Sequence, residues 1–246
     1  MTRASAPVMT AALLAAILSP APPGRAEPTD LDTIKLDATP RDPGTHEITL
    51  DYELDGKTRP MKFLIRIPER STKTDEKLPM IVFLCGAGER GLRQEAMYTN
   101  GPLAEFERHR ELAKAVDAIV LAPMCPADQR WDKGAMPAFV ADTVRLATKH
   151  WPIDADRVYL TGLSMGGKGT WHAANEAPDL FAAIAPFAAD EIDAEATAQR
   201  LAGKMAIWIV VGGHDAEHYV NGSRRMAEAL AKRDADVTLT EIERKG

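Results

Sequence analysis

The chain has 246 residues, enough for one large domain with a substantial core. Thirty Lys and Arg stand against 36 Asp and Glu, a net charge of −6, and no basic block stands out, which argues against a nucleic-acid partner. No internal repeat and no long low-complexity run is visible, and beyond Leu18 no apolar run is long enough to cross a bilayer.

The N-terminus reads as a targeting segment. Arg3 supplies a positive start, Val8 to Leu18 is a short apolar run, and Gly24-Arg25-Ala26 puts small residues at the −3 and −1 positions of a cleavage site. Residues 1–26 are therefore expected to be a signal peptide, and the mature protein to be secreted or periplasmic, with no membrane attachment once the signal is removed. Residues 27–45, rich in Pro, Asp and Thr, read as an irregular arm. The folded domain is expected over 46–246.

His46 to Leu54 alternates in polarity, Asp55-Gly56 is a turn pair, and Pro60 to Ile67 alternates again, which predicts a β-hairpin. Met80 to Leu84 and Ala118 to Leu121 are continuous apolar runs, as in strands covered on both faces. A polar, helical stretch over 91–115 separates them. Pro137 to His150 predicts an amphipathic helix, Arg157 to Thr161 a strand, and Lys168 to Glu176 a helix stopped by Pro178. Phe181 to Ala185 is a short apolar run, Ala194 to Leu201 a helix, Met205 to Val211 a buried strand, Asn221 to Lys232 a helix and Val237 to Ile242 a last strand. Strands alternating with helices after an opening hairpin predict an α/β fold with a mostly parallel central sheet and helices on both faces. In such sheets the working residues gather at the carboxyl ends of the strands.

Three strand ends carry candidate chemistry. Gly162-Leu163-Ser164-Met165-Gly166 has the form G-x-S-x-G. Chance alone yields that pattern in roughly one chain in twelve of this length, so the pattern counts only at a strand-to-helix turn. The flanking strand and helix supply that context and make Ser164 a candidate nucleophile, against the reading of an ordinary glycine-rich turn. Cys85-Gly86-Ala87-Gly88 follows Leu84 and exposes backbone N–H groups. One from Ala87 or Gly88, with that of Met165, would form an oxyanion hole. A phosphate loop would need a Lys-Ser/Thr end that this stretch lacks. Gly212-Gly213-His214-Asp215 follows the penultimate strand, where the acid of such a site is expected, and Asp215 is the candidate.

These segments resemble the α/β-hydrolase superfamily, in particular secreted esterases of the polyhydroxybutyrate-depolymerase and feruloyl-esterase type, related to dienelactone hydrolases and prolyl oligopeptidases. The matching pieces are Leu84 to Gly91, Ala122 to Pro126 with Trp131, Asp154 to Trp171, and the Asp215 loop. The resemblance implies an ester hydrolase with Ser164 as nucleophile and Asp215 as acid, needing no cofactor and no metal. Its substrate would be a small-molecule or polysaccharide-linked ester. Two departures stand out. Cys85 occupies the place of a His in the family's His-Gly step. No histidine follows His218, so the family's catalytic His after the last strand is missing and the domain reads as C-terminally incomplete, without its His loop and closing helix. The chain is accordingly expected to be inactive by itself.

Other assignments stay open on sequence. His218 could reach Ser164 only if its loop folds inward, and His214, Asp215 and His218 read weakly as metal ligands. Trp131 reads equally as a pocket wall or as packing. Glu89 and Arg90 are expected to brace the oxyanion loop. Cys85 and Cys125 each follow a strand expected to neighbour the other, so a disulfide and a pair of buried thiols both fit. The alternatives to an esterase are a non-catalytic binding protein on the same fold and a serine peptidase of the prolyl-oligopeptidase type.

Overall fold

The computed structural model describes residues 31, 34–72, 76–189 and 192–243. The expected signal peptide, 1–26, lies outside the described residues. Of the arm, Leu36 forms a bridge to Leu50, and Pro40 O accepts a 2.8 Å hydrogen bond from Trp151 Nε1. This stretch is thus tied to the domain by backbone groups.

Strand β1 (Gly44–Leu54) and strand β2 (Lys57–Ile67) form the predicted hairpin. Asp55 and Gly56 between them take φ of 53° and 75°, the two positive angles that a two-residue turn needs to match strand twist. The remaining strands are β3 (Leu78–Leu84), β4 (Ile119–Pro123), β5 (Ile153–Leu163), β6 (Ala183–Phe187), β7 (Ala206–Gly212) and β8 (Val237–Ile242). They make one eight-stranded sheet in the order β1-β2-β4-β3-β5-β6-β7-β8. β1 with β2 and β2 with β4 are antiparallel, and every other pair is parallel. All residues of β3 and β4 are buried, so the centre of the sheet is covered on both faces, which explains their unbroken apolar runs.

The helices are α1 (Gly101–Arg108), α2 (Arg110–Ala115), α3 (Met136–His150), α4 (Met165–Glu176), α5 (Ala194–Leu201) and α6 (Glu217–Ala231). α3 stops before Pro152 and α4 before Pro178, because the residue preceding a proline is pushed out of the helical region. Asp193 caps α5, its carboxylate accepting from Ala196 N at 3.0 Å. Among the described residues no helix is long and apolar enough to cross a membrane.

Several elements exceed their predicted lengths, and two of them border Ser164. β5 starts at Ile153 rather than Arg157, and α4 starts at Met165 rather than Lys168. The second difference has a clear cause. Gly166, Gly167 and Gly169 weaken helix propensity and hide the helix start from a propensity reading. Packing demands them. A Cβ on Gly167 would lie 2.5 Å from Phe187 O, and one on Gly169 2.3 Å from the Trp131 Cβ.

The chain enters β3, crosses to β4 on one side, and then crosses to β5 on the other. Connections that leave in opposite directions open a crevice beyond the carboxyl ends of β3 and β5. Ser164 and the Ala87 loop both lie there. One continuous apolar core runs from the hairpin through α3 and α4 to α6, with Phe63, Trp131, Phe139 and Phe181 among its largest buried side chains.

Candidate active site

Ser164 sits between the last residue of β5 and the first of α4, with φ 57° and ψ −112°. A residue with a side chain seldom adopts positive φ, and holding it there costs of order 1–3 kcal/mol. Close backbone packing holds it. Ser164 N donates to Phe187 O on β6 at 2.9 Å, and Ser164 O accepts from Lys168 N at 3.0 Å. The glycines on either side let the backbones approach. A Cβ on Gly162 would lie 2.3 Å from Gly166 O, and one on Gly166 would lie 1.9 Å from Leu84 O. The G-x-S-x-G pattern is therefore a steric requirement where β3, β5 and α4 meet. The half-buried serine is left at the N-terminus of α4, whose first N–H groups have no partner within the helix.

Ala87 and Gly88 open a single 3-10 turn (Ala87–Glu89) directly after β3. The turn abuts the elbow: a Cβ on Gly86 would be 3.6 Å from Leu163 O. The structure thus brings Ser164, Met165 and Ala87 together at adjoining ends of β3 and β5. Glu89 and Arg90 both contact this turn, but not each other. Glu89 Oε2 accepts from Gly86 N at 2.6 Å, and Arg90 Nε donates to Ala87 O at 3.0 Å. Asn100, which the sequence reading passed over, donates through Nδ2 to Glu89 Oε1.

Asp215 lies past the end of β7, two strands from β5, so about 10 Å separates the two strand axes. It is exposed, and its carboxylate folds back on its own loop, Oδ2 accepting from Gly212 N at 2.9 Å. Gly213 N donates to Ile242 O at 3.0 Å, which ties this loop to the end of β8.

All six histidines fall among the described residues, and none pairs with Ser164 or Asp215. His46 lies on β1 against Asp42 O, and His109 faces Glu105 at 3.6 Å. His150 packs beside Trp151. His172 is eight residues along α4, so about 12 Å of helix rise separates it from Ser164. Burial holds its pKa below the ordinary value. His214 is exposed in the Asp215 loop. His218 stands in the first turn of α6, exposed, with its ring against Tyr219 at 4.1 Å. The inward fold that His218 would need to reach Ser164 is thus not adopted.

Two further expectations change. Trp131 is fully buried: its indole Nε1 donates to Cys85 O at 3.0 Å and its Cβ fills the notch at Gly169. It supports the Ala87 turn from behind and, with no exposed surface, forms no pocket wall. Cys85 and Cys125 carry free thiols and are buried. Both lie beyond the last residue pair of β3 and β4, Val82 with Leu121. Burial first, and then the Glu89 charge, raise the Cys85 thiol to about 11. Burial raises Cys125 to about 12.

Among the described residues no group of three or more His, Cys, Asp and Glu could hold a metal ion, and His214, Asp215 and His218 do not converge.

The family model for the dienelactone hydrolase family matches residues 124–241, a segment that holds both the Ser164 elbow and the Asp215 loop. No curated protein matches the sequence. Among solved structures, a thermostable esterase is 28% identical at a TM-score of 0.69, covering 81% of this chain. The chain spans 55% of that esterase's length. An S-formylglutathione hydrolase from Staphylococcus aureus is 17% identical at a TM-score of 0.57, with 84% of this chain and 92% of that one covered. A ferulic acid esterase is 14% identical at 0.59, with 81% and 91% covered. These last two likenesses speak for the fold alone. Taken with the strand order and the strand–elbow–helix geometry, the comparisons carry one conclusion: the chain has an α/β-hydrolase fold.

Proposed function

We propose that the protein is an exported serine hydrolase that cleaves carboxylic esters, small or polysaccharide-linked, through an acyl-enzyme on Ser164. The observation that carries this reading is the elbow itself. Ser164 is held at positive φ beside the first N–H groups of a helix, at the crevice where the sheet's crossovers diverge. Of the non-glycine residues at positive φ among the described residues, Ser164 alone stands directly between a strand and a helix, where such strain fits a nucleophile. Ser164 Oγ would attack the ester carbonyl while a base takes its proton. The carbonyl oxygen, now negative, would be met by the N–H groups of Met165 and Ala87. Collapse of the tetrahedral species expels the alcohol, and water then attacks the acyl-enzyme by the same route to release the acid. The chemistry calls for no cofactor.

The base of this reading is a histidine oriented by Asp215, and none of the six histidines stands in that position. The place for it is beside the Asp215 loop at the end of β8, where Ile242 O meets Gly213 N. The second reading is a non-catalytic binding protein on the same fold. It draws on the same observation, a nucleophile elbow without an imidazole next to it. Nitrophenyl-acetate hydrolysis by the complete product of the gene, compared with its Ser164→Ala variant, separates the two. An esterase loses its turnover in the variant while keeping its fold by circular dichroism. Turnover that is nil in both, or equal in both, sinks the esterase reading.

A further inference from the structure

The Ala87 turn is held by side chains that never touch the substrate crevice, and its three peptide units can be followed one by one. A peptide unit is planar, so fixing its C=O or its N–H fixes both. In the Cys85–Gly86 unit, Cys85 O accepts from Trp131 Nε1 at 3.0 Å and Gly86 N donates to Glu89 Oε2 at 2.6 Å. In the Gly86–Ala87 unit, Gly86 O accepts from Glu89 N at 3.2 Å. In the Ala87–Gly88 unit, Ala87 O accepts from Arg90 Nε at 3.0 Å. The same guanidinium is anchored on Ala127 O and Gln129 O, each at 3.3 Å. Among the described residues, the N–H groups of Ala87 and Gly88 are left without an acceptor, in a turn whose neighbouring polar groups are engaged.

Glu89 is the centre of this arrangement. It is 7% exposed, and no cation pairs with its carboxylate among the described residues. One oxygen takes Gly86 N–H and the other takes Asn100 Nδ2. Asn100 occupies the cap position of α1, where an Asn side chain ordinarily bonds to the helix, yet it makes no cap bond and turns to Glu89 instead. A buried anion close to a developing oxyanion is electrostatically unfavourable, so its place there calls for a geometric reason. We infer that Glu89, held by Asn100, is a positioning residue that orients the Ala87 N–H toward the oxyanion formed on Ser164's substrate. The inference rests on the esterase reading for its catalytic consequence and on the hydrogen-bond geometry for its structural one.

A donor swap tests it. In Asn100→Asp, two carboxylates meet acceptor to acceptor, so Glu89 must turn away and lose the Gly86 bond. In the double variant Glu89→Gln/Asn100→Asp, the Gln oxygen accepts from Gly86 N while its NH2 donates to the new carboxylate, and the net charge is kept. Two measurements are made on the complete gene product: the backbone order parameter of the Ala87 amide by 15N relaxation, and the kcat and KM for nitrophenyl acetate. Asn100→Asp is expected to lower the Ala87 order parameter from about 0.85 to below about 0.7. It should also lower kcat by roughly 10- to 100-fold with KM nearly unchanged, and the double variant should restore both. Asn100→Ala should do the same in milder form, and it serves if Asn100→Asp does not fold. An Ala87 amide as ordered in the Asn100 variants as in the parent overturns the inference. So does a double variant that rescues neither readout. Retained turnover in Ser164→Ala would instead defeat the esterase reading, and the amide measurement would still decide the clamp.

Discussion

The carboxyl end of the sheet has two unlike halves. At β3 and β5, backbone lies against backbone at Gly162 and Gly166 on either side of Ser164, and the flanking polar groups of the Ala87 turn are bonded. At β7 and β8, Asp215 lies exposed in a loop, bonded only to its own turn, and β8 is half exposed at nearly every position. Under the proposed esterase reading the difference has a reason: preorganised donors stabilise an oxyanion without having to rearrange, whereas Asp215 would be oriented only by the histidine it serves.

The largest expected effect is on the second half. Supplying a histidine after β8, on a segment appended to Gly246, should raise ester turnover over that of residues 27–246 by up to about a million-fold, because nucleophile and base act as a unit. Equal turnover of the two proteins would mean that His218 or another resident group is the base.

Substituting glycines sharpens the contrast in stability. Gly166→Ala puts a methyl 1.9 Å from Leu84 O, so it should cost about 3 kcal/mol or more in denaturant unfolding. Gly213→Ala meets nothing nearer than Ile242 O at 3.7 Å, and should be neutral or stabilising by up to about 1 kcal/mol. Similar losses in both would remove the distinction between the halves.

A smaller effect probes the strain at the elbow. Ser164→Gly relaxes a φ of 57° and should raise the unfolding midpoint by the equivalent of about 1 kcal/mol relative to Ser164→Ala, which keeps the side-chain penalty. Equal midpoints would mean that the conformation carries little strain.

The two halves were also unequally legible in the sequence. The hairpin, the buried strands and the α5 helix could be read because period and turn chemistry agree there, as at Asp55-Gly56 and in the run Leu78–Leu84. The elbow was legible as a motif, but the start of α4 was not, because its glycines oppose helix propensity and are explained only by Leu84, Phe187 and Trp131, residues remote in sequence. The role of Trp131 and the partnership of Asn100 with Glu89 were hidden for the same reason: a loop aromatic and an Asn before Gly-Pro look like packing and a helix cap. The cysteines turned on side-chain placement beyond the paired strand residues, finer than strand prediction resolves.

The thiols give the gentlest test. Burial raises Cys85 to about 11 and Cys125 to about 12, so at pH 8 roughly a thousandth or less of each is thiolate. Native protein should react with iodoacetamide very slowly and faster as pH rises, while unfolded, unreduced protein should show two thiols. None after unfolding would mean that the residues are bridged.

The central claim is that Ser164 is a nucleophile held at its elbow, and covalent trapping tests it most directly. The complete gene product is treated with an alkyl fluorophosphonate and the adduct located by peptide mass spectrometry. The account predicts one phosphonyl group, on Ser164, absent from Ser164→Ala. An unlabelled protein, or a label on another residue that persists in Ser164→Ala, would contradict it.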